Sequence, residues 1–106
     1  MLYFAFELDE NKIREMGYRV EAVYDCIDDA YQQLQGKLAF IKNNVRYYTR
    51  DEKDGNDFQR LWRIALGLEK QEWFIKTVKG WKFIKVSDET GKAYYAEDLI
   101  RNVRTL

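Results

Sequence analysis

Two carboxylates, Glu7 and Asp9, stand two residues apart at the end of an N-terminal run, LYFAFEL, which reads as a strand apolar on nearly both faces. Alternate side chains of a strand share a face, so both acids can project together. Crowded carboxylates have two chemical uses. They hold a divalent cation such as Mg²⁺, or one of them has its pKa raised and serves as general acid or base, as phosphodiester cleavage requires. The same residues also have a purely structural reading. Asp9 is the expected N-cap of the following segment, and Glu7 can pair with a lysine at the strand end.

A second candidate is Arg46-Tyr47-Tyr48-Thr49-Arg50, where arginines interleave with aromatics. Guanidinium groups fork onto phosphates and tyrosine rings stack unpaired bases, so Arg46, Tyr47, Tyr48 and Arg50 are the candidate RNA-binding residues. The plain alternative is a strand with tyrosine in the core and arginine in water. Lys76, Lys79, Lys82 and Lys85, with Arg101 and Arg104, make the last third the most basic part of the chain, either a phosphate-facing edge or a solvated face. Glu21, Asp25, Asp28 and Asp29 fall opposite the apolar stripe of a helix and read as soluble surface. Cys26 has no histidine to activate it, and a nucleophilic role is not expected.

Composition narrows the chemistry further. The chain has no histidine and one cysteine, which removes the commonest general base and excludes Cys/His zinc sites. Eighteen basic and eighteen acidic residues cancel, so nucleic acid must be held by a local patch if it is held at all. No glycine loop for phosphates, nucleophile elbow or ordinary triad is present. No apolar run approaches the roughly 18 to 20 residues of a bilayer crossing, and the N-terminus lacks the basic region of a leader. With a lone thiol, these features lead us to expect a cytoplasmic protein without membrane association.

The elements that position these residues follow from periodicity. After the first strand, Asp9 and Gly17 bracket a short helical segment, and Val20, Val23, Tyr24, Ile27, Ala30, Tyr31 and Leu34 mark an amphipathic helix ending at Gly36. Lys37 to Ile41 and Val45 to Arg50 flank Lys42-Asn43-Asn44 as a β-hairpin. Phe58, Leu61, Trp62, Ala65 and Leu68 mark a second helix. Residues 71–78 are ambiguous between helix and strand, with Lys79-Gly80 expected to end that segment. Trp81 to Val86 reads as a strand and Glu97 to Val103 as a terminal helix. One domain of 106 residues results, an α+β ferredoxin-like βαββαβ sandwich. Its helices lie on one face of an antiparallel sheet, and residues 87–106 form a C-terminal helical extension. Tyr3, Ala5 and Glu7 would lie on the uncovered face, where a second copy of the chain, forming a homodimer, is the expected cover.

The segments FAFELDENKI, VRYY and LEKQEWFIKTVKGWKFIKV resemble the VapD family, with matched segments running from Phe4 to Val86. That family's first strand ends in Asp-Leu-Asp, and a Trp-Phe pair, here Trp73-Phe74, precedes the last strand. The resemblance implies a fold similar to the small CRISPR-associated ferredoxin-like nucleases and homodimers formed through the open sheet face. It also implies toxin-type endoribonuclease activity on single-stranded RNA, with an antitoxin protein as partner. The family's two acidic positions map onto Glu7 and Asp9. Glu7 departs from the family's Asp by one methylene, in a geometry that tolerates about half an ångström. A non-catalytic RNA- or protein-binding module of the same fold is the alternative this departure favours.

Overall fold

The alternation in LYFAFEL is realised as a central strand, β1 (Leu2–Leu8), whose Phe4, Phe6 and Leu8 are buried on one face. The computed structural model describes residues 1–100. After β1 come α1 (Glu10–Glu15), α2 (Val20–Gln32), β2 (Lys37–Lys42), β3 (Val45–Thr49), α3 (Asp57–Glu69), α4 (Glu72–Thr77), β4 (Val78–Val86) and β5 (Ala93–Asp98). The fold is α+β, with the five strands in one antiparallel sheet ordered β2-β3-β1-β4-β5.

Residues paired across neighbouring strands share a face of the sheet. Phe4 pairs with Tyr48 and Phe83, and Phe6 with Arg46 and Trp81, which defines the helix-covered side. There Phe4, Phe6 and Leu8 join Ile27 and Tyr31 of α2, Leu61, Ile64 and Leu68 of α3, and Phe74 of α4 in one core. The expected stripe of α2 is buried at Val20, Val23, Tyr24, Ile27 and Tyr31. On the opposite face Tyr3 pairs with Thr49 and Ile84, and Ala5 with Tyr47 and Lys82. None of these residues joins the core cluster.

Local chemistry explains the connections. Asn43 and Asn44 turn the β2–β3 hairpin with φ of 52° and 65°, as paired asparagines allow. Gly36 links α2 to β2, its N–H donating to the Tyr31 carbonyl at 2.7 Å. A Cβ on Gly36 would lie 3.1 Å from that carbonyl oxygen and from Tyr31 Cδ1, so a side chain there would have to push its neighbours back by a few tenths of an ångström.

One open reading is settled and two expectations are corrected. Residues 71–78 are mostly helix, α4, and the strand begins at Val78; Lys79 and Gly80 lie inside β4 rather than ending an element. Ala93 to Asp98 form a fifth strand, so Glu97 and Asp98 are extended where a helix start was expected. Their acids resemble a helical first turn, but pairing of Phe83 with Glu97 and of Lys82 with Asp98 places them in the ladder with β4. Residues 101–103 of the expected terminal helix, and Arg104 beyond it, lie outside the described residues. The strand order therefore differs from that of a simple four-stranded ferredoxin-like sheet. Among the described residues, no helix is long and apolar enough to cross a membrane.

Candidate functional site

β1 carries Glu7 onto the open face one residue before the β1–β4 register shifts. Its carboxylate sits in a concavity of about 320 Å³ lined by Ala5, Tyr47, Gly80, Lys82 and Ile84 among others. The missing side chain of Gly80, paired with Glu7 across the ladder, keeps that space open. Glu7 Oε1 lies 3.3 Å from Lys79 Nζ, and the Glu7 side chain retains 28% of its exposure. A carboxylate that is half-buried, next to an ammonium and beside a cavity can accept a proton from a bound hydroxyl.

Asp9 does something different. Its Oδ1 accepts the Lys12 backbone N–H at 3.1 Å as the N-cap of α1, and its own N–H donates to the Thr77 carbonyl at 2.7 Å. It lines a separate polar crevice of about 260 Å³ with Glu10, Asn11, Arg14, Asn44 and Lys79. Only Lys79 is common to the surroundings of both acids. Mg²⁺ takes six oxygen ligands, several of them waters, and is held by one or two carboxylates. Glu7, paired with Lys79, and Asp9, which caps α1, line different concavities, so the two expected ligands are not brought together on one site for Mg²⁺.

The quartet expected to bind RNA is split by the strand's alternation. Tyr47 stands on the open face, half-exposed, opposite Ala5. Arg46 stands on the other side, its Cζ 3.9 Å from the Tyr24 ring centroid and Nη1 3.9 Å from Asp28. Glu10, Glu21 and Asp25 line the same crevice, an acidic setting that repels phosphate. Burial, and next to it the Glu10 charge, raises the Tyr24 hydroxyl pKa.

Tyr48 and Arg50, expected as substrate contacts, are placed inside the fold. Tyr48 is fully buried, its hydroxyl donating to Asp28 and its ring stacked 4.5 Å from Tyr31. Burial, then the Asp28 hydrogen bond, pushes its phenol far above the usual range. Arg50 is 2% exposed and spends its donors inside. Nε donates to the Leu34 carbonyl at 2.7 Å, Nη1 to Asp54 and Asp57, and Nη2 to Gln35 and Asp54. Asp28, expected as solvated surface, is thus the acceptor for a core tyrosine. The lysine series also divides: Lys76 pairs with Glu72 at 2.7 Å, Lys82 faces the open side, and Lys85 lies over the Tyr95 ring on the other.

Sequence reasoning placed Tyr3 on this face and missed Phe40. Phe40 is 45% exposed, stacks on Tyr47 at a centroid distance of 4.5 Å and meets Tyr3 edge-on at 5.7 Å. The signal was available, because a two-residue turn at Asn43 and Asn44 sets Lys42 opposite Val45 and hence Phe40 opposite Tyr47. No protein-family model matches the chain, and no curated protein does.

Proposed function

We propose that this chain is a VapD-like protein with a ferredoxin-like core, formed by β1 to β4 with α2 and α3, that cleaves single-stranded RNA as an endoribonuclease. The observation that carries this reading is the placement of Glu7 in the open-face concavity, beside Tyr47 and Lys82, with Lys79 at 3.3 Å. In the reaction Glu7 takes the proton of a ribose 2′-hydroxyl, and the 2′-oxygen attacks the adjacent phosphorus. The bond from phosphorus to the 5′-oxygen breaks, leaving a 2′,3′-cyclic phosphate, and the departing oxygen takes a proton from the Lys79 ammonium. Proton return from Glu7 to Lys79 restores both groups. Lys82 offsets charge on the phosphoryl oxygens. Asp9 has no part in the chemistry, and toxin-type activity with its antitoxin rests on the resemblance alone.

The second reading is a non-catalytic RNA-binding module of the same fold. The capping role of Asp9 and the neutralisation of Glu7 by Lys79 favour it. Incubation with end-labelled single-stranded RNA, with and without Mg²⁺, separates the two. The enzyme makes defined fragments at catalytic protein concentrations in both conditions, Glu7→Gln stops it, and Asp9→Asn does not. RNA bound but left intact by the wild type would leave the module.

A further inference from the structure

The open face displays three aromatic rings on three neighbouring strands: Tyr3 on β1, Tyr47 on β3 and Phe40 on β2. Tyr3 lies edge-on to both others, at 5.7 Å from Phe40 and 6.4 Å from Tyr47, while Phe40 and Tyr47 are stacked with planes 19° apart. All three keep part of their surface in solvent. They have no place in the core, so burial does not explain them. Aromatics on adjacent strands of an open antiparallel sheet are a known means of stacking two or three unpaired bases.

The charges on this face have one sign to spare. Pairing places Lys37 opposite Thr49, Lys42 opposite Val45 and Lys82 opposite Ala5, all on the open side. None of the three is in an ion pair among the described residues. Of the acids on the face, Glu7 is paired with Lys79, and Asp98 accepts the Ile100 N–H at 3.0 Å. A chain with no net charge thus carries free cations around an aromatic surface, which complements a phosphate backbone with exposed bases.

We infer that Tyr3, Phe40 and Tyr47 form a base-stacking platform for single-stranded RNA, flanked by Lys37, Lys42 and Lys82, which delivers the strand to Glu7. The inference rests on the RNA reading above, adds the residues that recognise the substrate, and gives to RNA the open face for which a second copy of the chain was the expected cover. Rings provide affinity with little sequence preference, since every base has a π face, and lysines provide the salt-dependent part. A duplex, its bases already stacked, gains nothing from the rings.

The test is fluorescence anisotropy with a labelled single-stranded oligouridine or oligoadenosine of roughly eight nucleotides, and the corresponding duplex. It is run in the Glu7→Gln background so that the probe survives, with cleavage assayed separately in the wild-type background. Phe40→Leu and Tyr47→Leu keep apolar bulk while removing the π face, and each is expected to weaken single-strand binding by about 5- to 150-fold. Both should retain the wild-type melting temperature within a few degrees, and the duplex should bind far more weakly. Equal binding by the ring variants, with cleavage retained, overturns the platform and leaves the RNA reading standing. No binding and no cleavage overturns both. Sedimentation is the remaining arm: a stable dimer that Phe40→Leu dissociates, with RNA affinity unchanged, overturns the platform and gives the face to a second copy of the chain.

Discussion

The Lys79 ammonium lies 3.3 Å from Glu7 Oε1 across the end of the β1–β4 ladder, joining Glu7 of the open-face concavity to a lysine that lines the separate polar crevice of Asp9. The Lys79 side chain is 64% exposed, so the pair contributes under about 1 kcal/mol to stability. On the proposed mechanism, Lys79→Met is expected to slow RNA cleavage by about 10²- to 10⁴-fold, the usual contribution of one proton-transfer group. Its melting temperature should stay close to the wild-type value. A Lys79→Met protein that cleaves at the wild-type rate would remove lysine from the mechanism, and one that fails to fold would make the pair structural.

The Arg50 side chain ties the end of β3 to the C-terminal end of α2 through the Leu34 carbonyl and Gln35, and to the start of α3 through Asp57. Its hydrogen bond to Asp54 is the first cause holding that carboxyl well below the usual carboxylate range. A depressed folded-state pKa contributes stability that is complete above the unfolded-state value, near about 4, and is lost as pH falls below it. Urea midpoints followed from neutral pH downward should therefore fall below about pH 4, and fall less steeply in Asp54→Asn. Arg50→Ala should be much less stable at neutral pH. Arg50→Lys should not restore it, because an ammonium cannot reproduce the planar fork. Parallel pH profiles for wild type and Asp54→Asn would refute this role.

Tyr48 behaves oppositely in alkali. Burial and the Asp28 carboxylate raise its phenol pKa, and burial likewise raises that of Tyr31 stacked against it. A raised folded-state pKa contributes stability that is complete below the unfolded-state value, about 10, and is lost as pH rises above it. Tyrosinate absorbance should consequently appear in two stages, with Tyr31 and Tyr48 ionising only as the protein unfolds. Tyr48→Phe should cost about 1.5–3 kcal/mol at neutral pH, the range for a hydrogen bond to a charged group, and its alkaline loss should be shallower. A single-stage titration of all eight tyrosines in the folded protein would contradict the burial argument.

What could be read in advance divides by the range of the interactions involved. The stripe of α2 and the split of β1 into Phe4, Phe6 and Leu8 against Tyr3, Ala5 and Glu7 depend on local periodicity alone, and both are found. The hairpin turn at Asn43 and Asn44 is equally local. β5 was hidden because its strand character comes from pairing with β4, while its own acids imitate a helix start. The candidate site was harder. Arg46 to Arg50 look alike in sequence, yet alternation sends Tyr47 outward and Tyr48 inward, and Arg50 finds partners 15 residues back at Gln35 and seven forward at Asp57. No local rule contains those pairings. Asp9 was legible as a cap, and the cap is what forms.

The β2–β3 ladder contains one irregularity, and it bears on the aromatic face. Leu38 pairs with Tyr48 and Phe40 with Tyr47, so Ala39 is an extra residue without a partner. Without such a bulge Leu38 and Phe40, two apart, would share a side. With it, Phe40 reaches the open face while Leu38 packs against the core. Deleting Ala39 keeps both pairings and makes the ladder regular, so the deletion variant should fold with Phe40 still against Tyr47. Inserting an alanine between Phe40 and Ile41 should instead turn Phe40 out of the stack. Cross-strand nuclear Overhauser effects between the Phe40 and Tyr47 rings, present in the deletion variant and absent from the insertion variant, would establish that register positions the aromatic surface. Their absence from both variants would mean that the twist added by the bulge is needed to bring Phe40 over Tyr47.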